Sequence, residues 1–129
     1  MAGSYLLDTN IVIAFFSGEP EVVKRLGDAG NVFLPAIVLG ELYYGAEKSA
    51  KRSFNINLVD AFCQKVRQLD VNGETATHYG AIKEAVRAAG KPIPENDIWI
   101  AAIARQHDLI LVTRDRHFNE VPDLATERW

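Results

Sequence analysis

Four carboxylates stand out by their surroundings. Asp8 closes the apolar run of "YLLDTN", Glu41 sits within "AIVLGELYYG", Asp97 opens "DIWIAAIA", and Asp115 follows "LILVT" by two residues. Two carboxylates about 4 Å apart repel by ~4 kcal/mol at an effective dielectric of 20, so three or four gathered together are a liability without a counter-charge. A divalent cation resolves the conflict. An all-oxygen donor set from Asp and Glu suits Mg²⁺ or Mn²⁺, and the chain lacks the Cys and His spacing of a structural zinc site. His78, His107 and His117 are scattered and read as surface or helix-end residues, with His117, between Arg116 and Phe118, also placed to touch a phosphate. A carboxylate-held cation activates water and stabilises charge developing on an oxyanion, which is what phosphodiester hydrolysis requires.

The acids act together only if the fold brings them together. Apolar periodicity and punctuation divide the chain into a β/α alternation. "SYLLD", "VFLP", "QLDV" and "LILVT" read as strands, and "ATERW" as an edge strand. "NIVIAFFSG", "EPEVVKRLGDAG" with Pro20 in its first turn, "AIVLGELYYGAEKSAKR", roughly residues 54–67, "NGETATHYGAIKEAVRAAG" and residues 97–107 read as helices, and "KPIPEN" and "RDRHFNEVPDL" as loops. The basic end of the third helix suits the negative end of its dipole. Short strands separated by helices predict an α/β fold with a central, mainly parallel sheet covered on both faces, since parallel connections need a right-handed crossover. Ligands of such sheets bind beyond the carboxyl ends of the strands. Asp8 and Asp115 follow strands directly, while Asp97 and Glu41 lie early in helices that start from that same edge.

Each acid taken singly also has an ordinary explanation. Asp8 suits a cap for the helix that follows it, and Asp97 a first-turn acid beside a capping Asn96. Asp115 suits a turn. Glu41, flanked by Ile37, Val38, Leu39 and Leu42, needs either a basic partner or a cation, because acids on apolar helix faces are rarely buried alone. Glu95 neighbours the group without an assignable role.

The bulk numbers set the frame. A chain of 129 residues fits a single domain spanning 1–129, and 48% hydrophobic with 24% charged residues is ordinary for a globular protein. No apolar run reaches the ~20 residues needed to span a bilayer, the N-terminus lacks the features of a signal peptide, and the single Cys63 forms no internal disulfide; a reducing cytoplasm is expected. A net charge of −3 argues at first against a nucleic-acid partner. If four of the 17 acids hold a cation, however, the rest nearly balance the 14 Lys and Arg. Lys48, Lys51, Arg52, Arg114 and Arg116 are then candidate phosphate contacts, though each taken singly reads more readily as a solvated surface charge or helix-end compensation.

The segments "YLLDTNIVI", "AIVLGELYYG", "NDIWIAAIA" and "LILVTRDRHF", followed by "VPDLATERW", together resemble a PIN domain of the VapC-like toxin ribonucleases of bacterial and archaeal toxin–antitoxin pairs. The resemblance spans essentially the whole chain. It implies a three-layer α/β/α sandwich and Mg²⁺- or Mn²⁺-dependent endonucleolytic cleavage of structured RNA such as transfer RNA or ribosomal RNA loops. By resemblance Asp8, Glu41, Asp97 and Asp115 take the catalytic, metal-binding positions, and Thr9, Asn10 and Thr113 the polar positions that support them. Many relatives carry a further acid shortly after the position of Asp115; here Arg116 and His117 follow. A homodimer and a cognate antitoxin wrapping the apolar helices "IVIAFF" and "IVLGELYY" are also implied. A PIN fold kept as a non-catalytic RNA-binding or interaction module is the alternative. A haloacid-type phosphatase would show Asp-x-Asp where this chain has Asp8-Thr9-Asn10, a receiver domain would carry an acidic pair and a later Lys, and the chain has no long insertion for gripping branched DNA.

Overall fold

The computed structural model describes residues 3–129. Its elements run β1 (Ser4–Leu7), α1 (Thr9–Phe16), α2 (Pro20–Asp28), β2 (Asn31–Pro35), α3 (Ala36–Glu47), α4 (Arg52–Cys63), β3 (Arg67–Leu69), α5 (Gly73–Ala88), α6 (Glu95–Gln106), β4 (Ile110–Val112), a 3₁₀ turn (Arg116–Glu120) and β5 (Thr126–Glu127). The strands form one sheet in the order β3-β2-β1-β4-β5, and all four pairings are parallel. Leu6 pairs with Phe33 on one side and Leu111 on the other. Leu6, Leu7, Leu34, Leu111 and Val112 are fully buried, as strands covered on both faces demand.

The order explains the layers and locates the site. From β1 the chain moves outward through β2 to β3 by way of α1–α4, then returns across the sheet through α5 and α6 to β4. Right-handed crossovers in opposite directions put the two sets of helices on opposite faces, which produces the expected α/β/α layering. The direction reverses between β1 and β4. Beyond the carboxyl ends of those two strands the connections diverge, which is where ligands of such sheets bind.

Three local expectations are corrected. The helix expected to run through Arg52 ends at Glu47, because the Ser49 hydroxyl donates to the Ala46 carbonyl (2.7 Å) and in turn accepts from Asn55 Nδ2 (2.8 Å). Such a bond competes with the next helical turn. Arg52 therefore begins α4, at the positive end of a dipole, and is offset there by a two-pronged pairing with Glu47 (2.7 and 3.0 Å). Helix α6 begins at Glu95 after Pro94, so Asn96 lies inside the first turn and is not its cap. The loop after β4 contains the 3₁₀ turn, opened by Asp115, whose carboxylate accepts from the His117 backbone N–H (2.9 Å).

Candidate active site

Asp8 is fixed first by its own helix. As the cap of α1 it accepts from the Thr9 backbone N–H through Oδ1 (2.8 Å). Its other oxygen, Oδ2, accepts from Thr113 Oγ1 (2.7 Å) and Asn10 Nδ2 (3.2 Å). Thr113 is itself a junction, since its hydroxyl oxygen accepts from the Asp115 backbone N–H (3.0 Å) while its proton goes to Asp8. The Asn10 carbonyl oxygen accepts from the Arg114 backbone N–H (3.2 Å). The loops after β1 and β4 are thus cross-tied through Asp8, Asn10 and Thr113, the last two at positions expected to support the acids.

The remaining acids enter from the helices. Glu41, half-buried in the second turn of α3, accepts from Thr9 Oγ1 (2.9 Å), and no basic side chain among the described residues pairs with it. Asp97, in the first turn of α6, makes no capping bond; its carboxylate faces His117, with Nδ1 3.1 Å from Oδ2. The same nitrogen lies 3.1 Å from Asp115 Oδ1. One donor atom from each of Asp97, Asp115 and His117 lies within 4.8 Å of the others, with Asp8 and Glu41 outside this tightest group but linked to it through Thr113 and Thr9. His117, read from the sequence as a surface residue or phosphate contact, was not foreseen as a member of this group. The available signal was its position two residues after Asp115, where a short turn folds the ring back.

Burial and mutual repulsion show in the acidities. Asp97 is pushed up to about 6, foremost by desolvation and further by the charges of Asp8 and Asp115, with its bond to His117 pulling the other way. Asp8, only 5% exposed, is also raised by burial, against the pull of its bonds from Thr113 and Thr9. Carboxyl groups held this way bind a proton more readily than usual and, in its place, a cation. The donor chemistry fits Mg²⁺ or Mn²⁺: acids in excess, no thiolate, and hydrogen bonds that aim the lone pairs.

The basic candidates fall into two groups. Lys48 caps α3 with its ammonium 4.8 Å from the Tyr44 ring centre, Lys51 precedes α4, and Arg116 is exposed at the start of the 3₁₀ turn. Arg52 is exposed and paired with Glu47. Arg114 is placed differently: its guanidinium grips both carboxylate oxygens of Glu19 (2.7 and 3.2 Å) and donates to the Trp129 carbonyl (2.9 Å). It ties the start of α2 and the segment after β5 to the loop after β4. Glu95 pairs with Lys83 and Tyr79 and stays out of the acid cluster. Beside Glu41, a groove of about 410 Å³ between α1, α3 and α4 is lined by Ile13, Phe16, Leu42, Phe54, Leu58 and Val59. Ile13 and Phe54 are 52% and 62% exposed.

The chain is similar to known proteins in sequence and in fold. The family model of the PIN domain matches residues 5–124. Ribonuclease VapC2 of Haemophilus influenzae is 44% identical over 128 residues, covering 97% of both chains. The tRNA(fMet)-specific endonuclease VapC of Shigella flexneri is 35% identical over 128 residues with the same coverage. Among solved structures, DNA-bound VapBC from Salmonella typhimurium superposes with a TM-score of 0.92 at 30% identity, over 100% of this chain and 99% of that one. Matched along nearly its full length in sequence and in fold, the chain belongs to the PIN-domain family.

Proposed function

We propose that residues 1–129 form one PIN domain acting as a metal-dependent endoribonuclease, the toxin of a type II toxin–antitoxin pair. The observation that carries this reading is the convergence of Asp8, Glu41, Asp97 and Asp115 from four separate segments on the sheet edge beyond β1 and β4. Structured RNA is the proposed substrate, and transfer RNA the first to test, because the Shigella relative is a tRNA(fMet)-specific endonuclease.

Asp8, Asp97 and Asp115 would hold Mg²⁺ or Mn²⁺. When bound, the cation would neutralise charge on the scissile phosphate and make water a better nucleophile. Glu41, set at the edge of the group by Thr9, is placed to accept a proton from the attacking water. Thr113 and Asn10 keep the Asp8 and Asp115 loops in register, so the acids need no rearrangement when substrate arrives. Lys48, Lys51, Arg52 and Arg116 are the proposed phosphate contacts; Arg114, already gripped by Glu19, serves the scaffold.

The apolar groove beside Glu41 is the proposed seat of an antitoxin segment, which would fill it with aliphatic or aromatic side chains and reach the acids with a basic one. Solved neighbours include a toxin–antitoxin complex from Klebsiella pneumoniae and VapBC-1 from Haemophilus influenzae, which supports this partner. Among the described residues no helix is long and apolar enough to cross a membrane. A cytoplasmic location and a homodimer complete the proposed reading. The direct test is cleavage of a transfer-RNA pool by wild type and Asp97→Asn in Mn²⁺. Loss of about two orders of magnitude or more is expected; wild-type rates in the variant would refute the ligand assignment, and RNA retention without cleavage by the wild type would favour a binding module.

A further inference from the structure

We propose that His117 is a nitrogen donor to the cation held by Asp97 and Asp115, making the centre a mixed nitrogen–oxygen site. The inference rests on the metal-binding reading above and names a further ligand for it. The imidazole Nδ1 stands 3.1 Å from Asp97 Oδ2 and 3.1 Å from Asp115 Oδ1. Neighbouring ligands on one octahedral ion with bonds of about 2.1 Å are ~3.0 Å apart, so both separations match those of donors sharing an ion.

As it stands, the contact with Asp97 is a hydrogen bond that orients the carboxylate. The side chain is 52% exposed, so packing does not force the ring inward, and among the described residues its ring has no other hydrogen-bond partner. What brings the ring inward is its backbone: the His117 N–H donates to Asp115 Oδ1, and this bond folds the 3₁₀ turn toward α6. A histidine serving only as a hydrogen-bond donor would orient the carboxylates but leave the ion an all-oxygen shell. A histidine in the shell changes which ion is preferred. Imidazole binds Mn²⁺ and the later first-row ions better than Mg²⁺, which favours oxygen.

The experiment uses the full chain loaded with Mn²⁺ and pulsed electron paramagnetic resonance, which detects a ligating nitrogen directly. Wild type is expected to show ¹⁴N coupling that disappears in His117→Gln and changes to the ¹⁵N pattern when the protein is labelled with ¹⁵N-histidine. Calorimetric titration of the same variant should show Mn²⁺ affinity falling by about 10- to 100-fold, with a clearly smaller change for Mg²⁺. His117→Asp, which restores an oxygen donor, should recover Mg²⁺ binding without the Mn²⁺ preference. Bound Mn²⁺ without nitrogen coupling, or an unchanged Mn²⁺/Mg²⁺ preference in His117→Gln, would overturn the assignment and leave the four-acid reading intact. Failure of wild type to bind Mn²⁺ at all would overturn both.

Discussion

Replacing Asp97 with Asn should make the metal-free protein more stable and inactive at once. The Asp97 carboxyl is raised from 3.8 to about 6, chiefly by burial. For a raised carboxyl, the folded protein keeps its full stability below the unfolded value and loses stability as pH rises through the folded value; the penalty therefore develops between about pH 4 and pH 6 and persists above. A shift of that size corresponds to something on the order of 3 kcal/mol at neutral pH, taking ~1.4 kcal/mol per unit. Asn has the same shape and can still meet the His117 ring, so the substitution removes the charge and little else. For a domain of this length the metal-free variant should melt roughly 10 °C above wild type at about pH 7.5. The gap should close near pH 4, where Asp97 is itself protonated. Calorimetry or circular dichroism in EDTA across this range measures it. Adding Mn²⁺ should reverse the order, since an ion at about 1,000 times its dissociation constant stabilises wild type by ~4.1 kcal/mol and the variant by much less. A variant that melts at or below wild type in EDTA at about pH 7.5 would refute the claim that the cluster stores destabilisation for a cation to relieve.

Other perturbations separate positioning, scaffold and partner roles. Thr113→Val removes a buried donor to Asp8 and the acceptor for the Asp115 N–H; it should cost roughly 1–3 kcal/mol in urea unfolding and lower kcat more than it raises KM. Arg114→Ala should lower thermal stability while leaving the salt dependence of RNA binding unchanged, whereas Lys51→Ala should reduce the slope of log affinity against log salt by about 0.7, as measured by fluorescence anisotropy. Phe54→Glu in the groove beside Glu41 should weaken antitoxin binding at least about tenfold in a titration, with RNA cleavage by the free protein retained.

The sequence was most informative where one strong pattern stood alone. The acid-bearing segments each pair a carboxylate with an apolar strand or helix, so both the element and the edge on which its acid falls follow from periodicity and the parallel-sheet rule. What stayed hidden depended on side chains meeting across segments. The break between α3 and α4 falls in "GAEKSAKR", a run of good helix formers, and arises because Ser49 bonds back to Ala46 and is held by Asn55. Arg114 and Asp115 are adjacent in sequence, yet one grips Glu19 and the other faces Asp97 and His117. Their opposite directions are set by the chain leaving β4, which no spacing rule reports. His117 belongs with the acids only because a 3₁₀ turn shortens its path to α6.

The polar links also bear on why the acids can coexist so close together. Asp8 has bonds from Thr9, Asn10 and Thr113, and the same Asn10 and Thr113 receive the backbone N–H groups of Arg114 and Asp115. Two loops that would relieve repulsion by moving apart are therefore tied to each other through neutral side chains. Those chains cancel little of the negative charge, so the site keeps its attraction for a cation while losing the freedom to spread. Binding then requires little loop ordering, and more of the ion's interaction energy appears as affinity. Loosening either tie should thus weaken metal binding even where every carboxylate remains. Asn10→Ala is the sharper case, because it is only partly buried and leaves the bond from Thr113 to Asp8 in place. Calorimetric titration with Mn²⁺ should show its affinity reduced by about tenfold, with the number of bound ions unchanged. Wild-type affinity in Asn10→Ala would mean that the loops are held by the sheet alone.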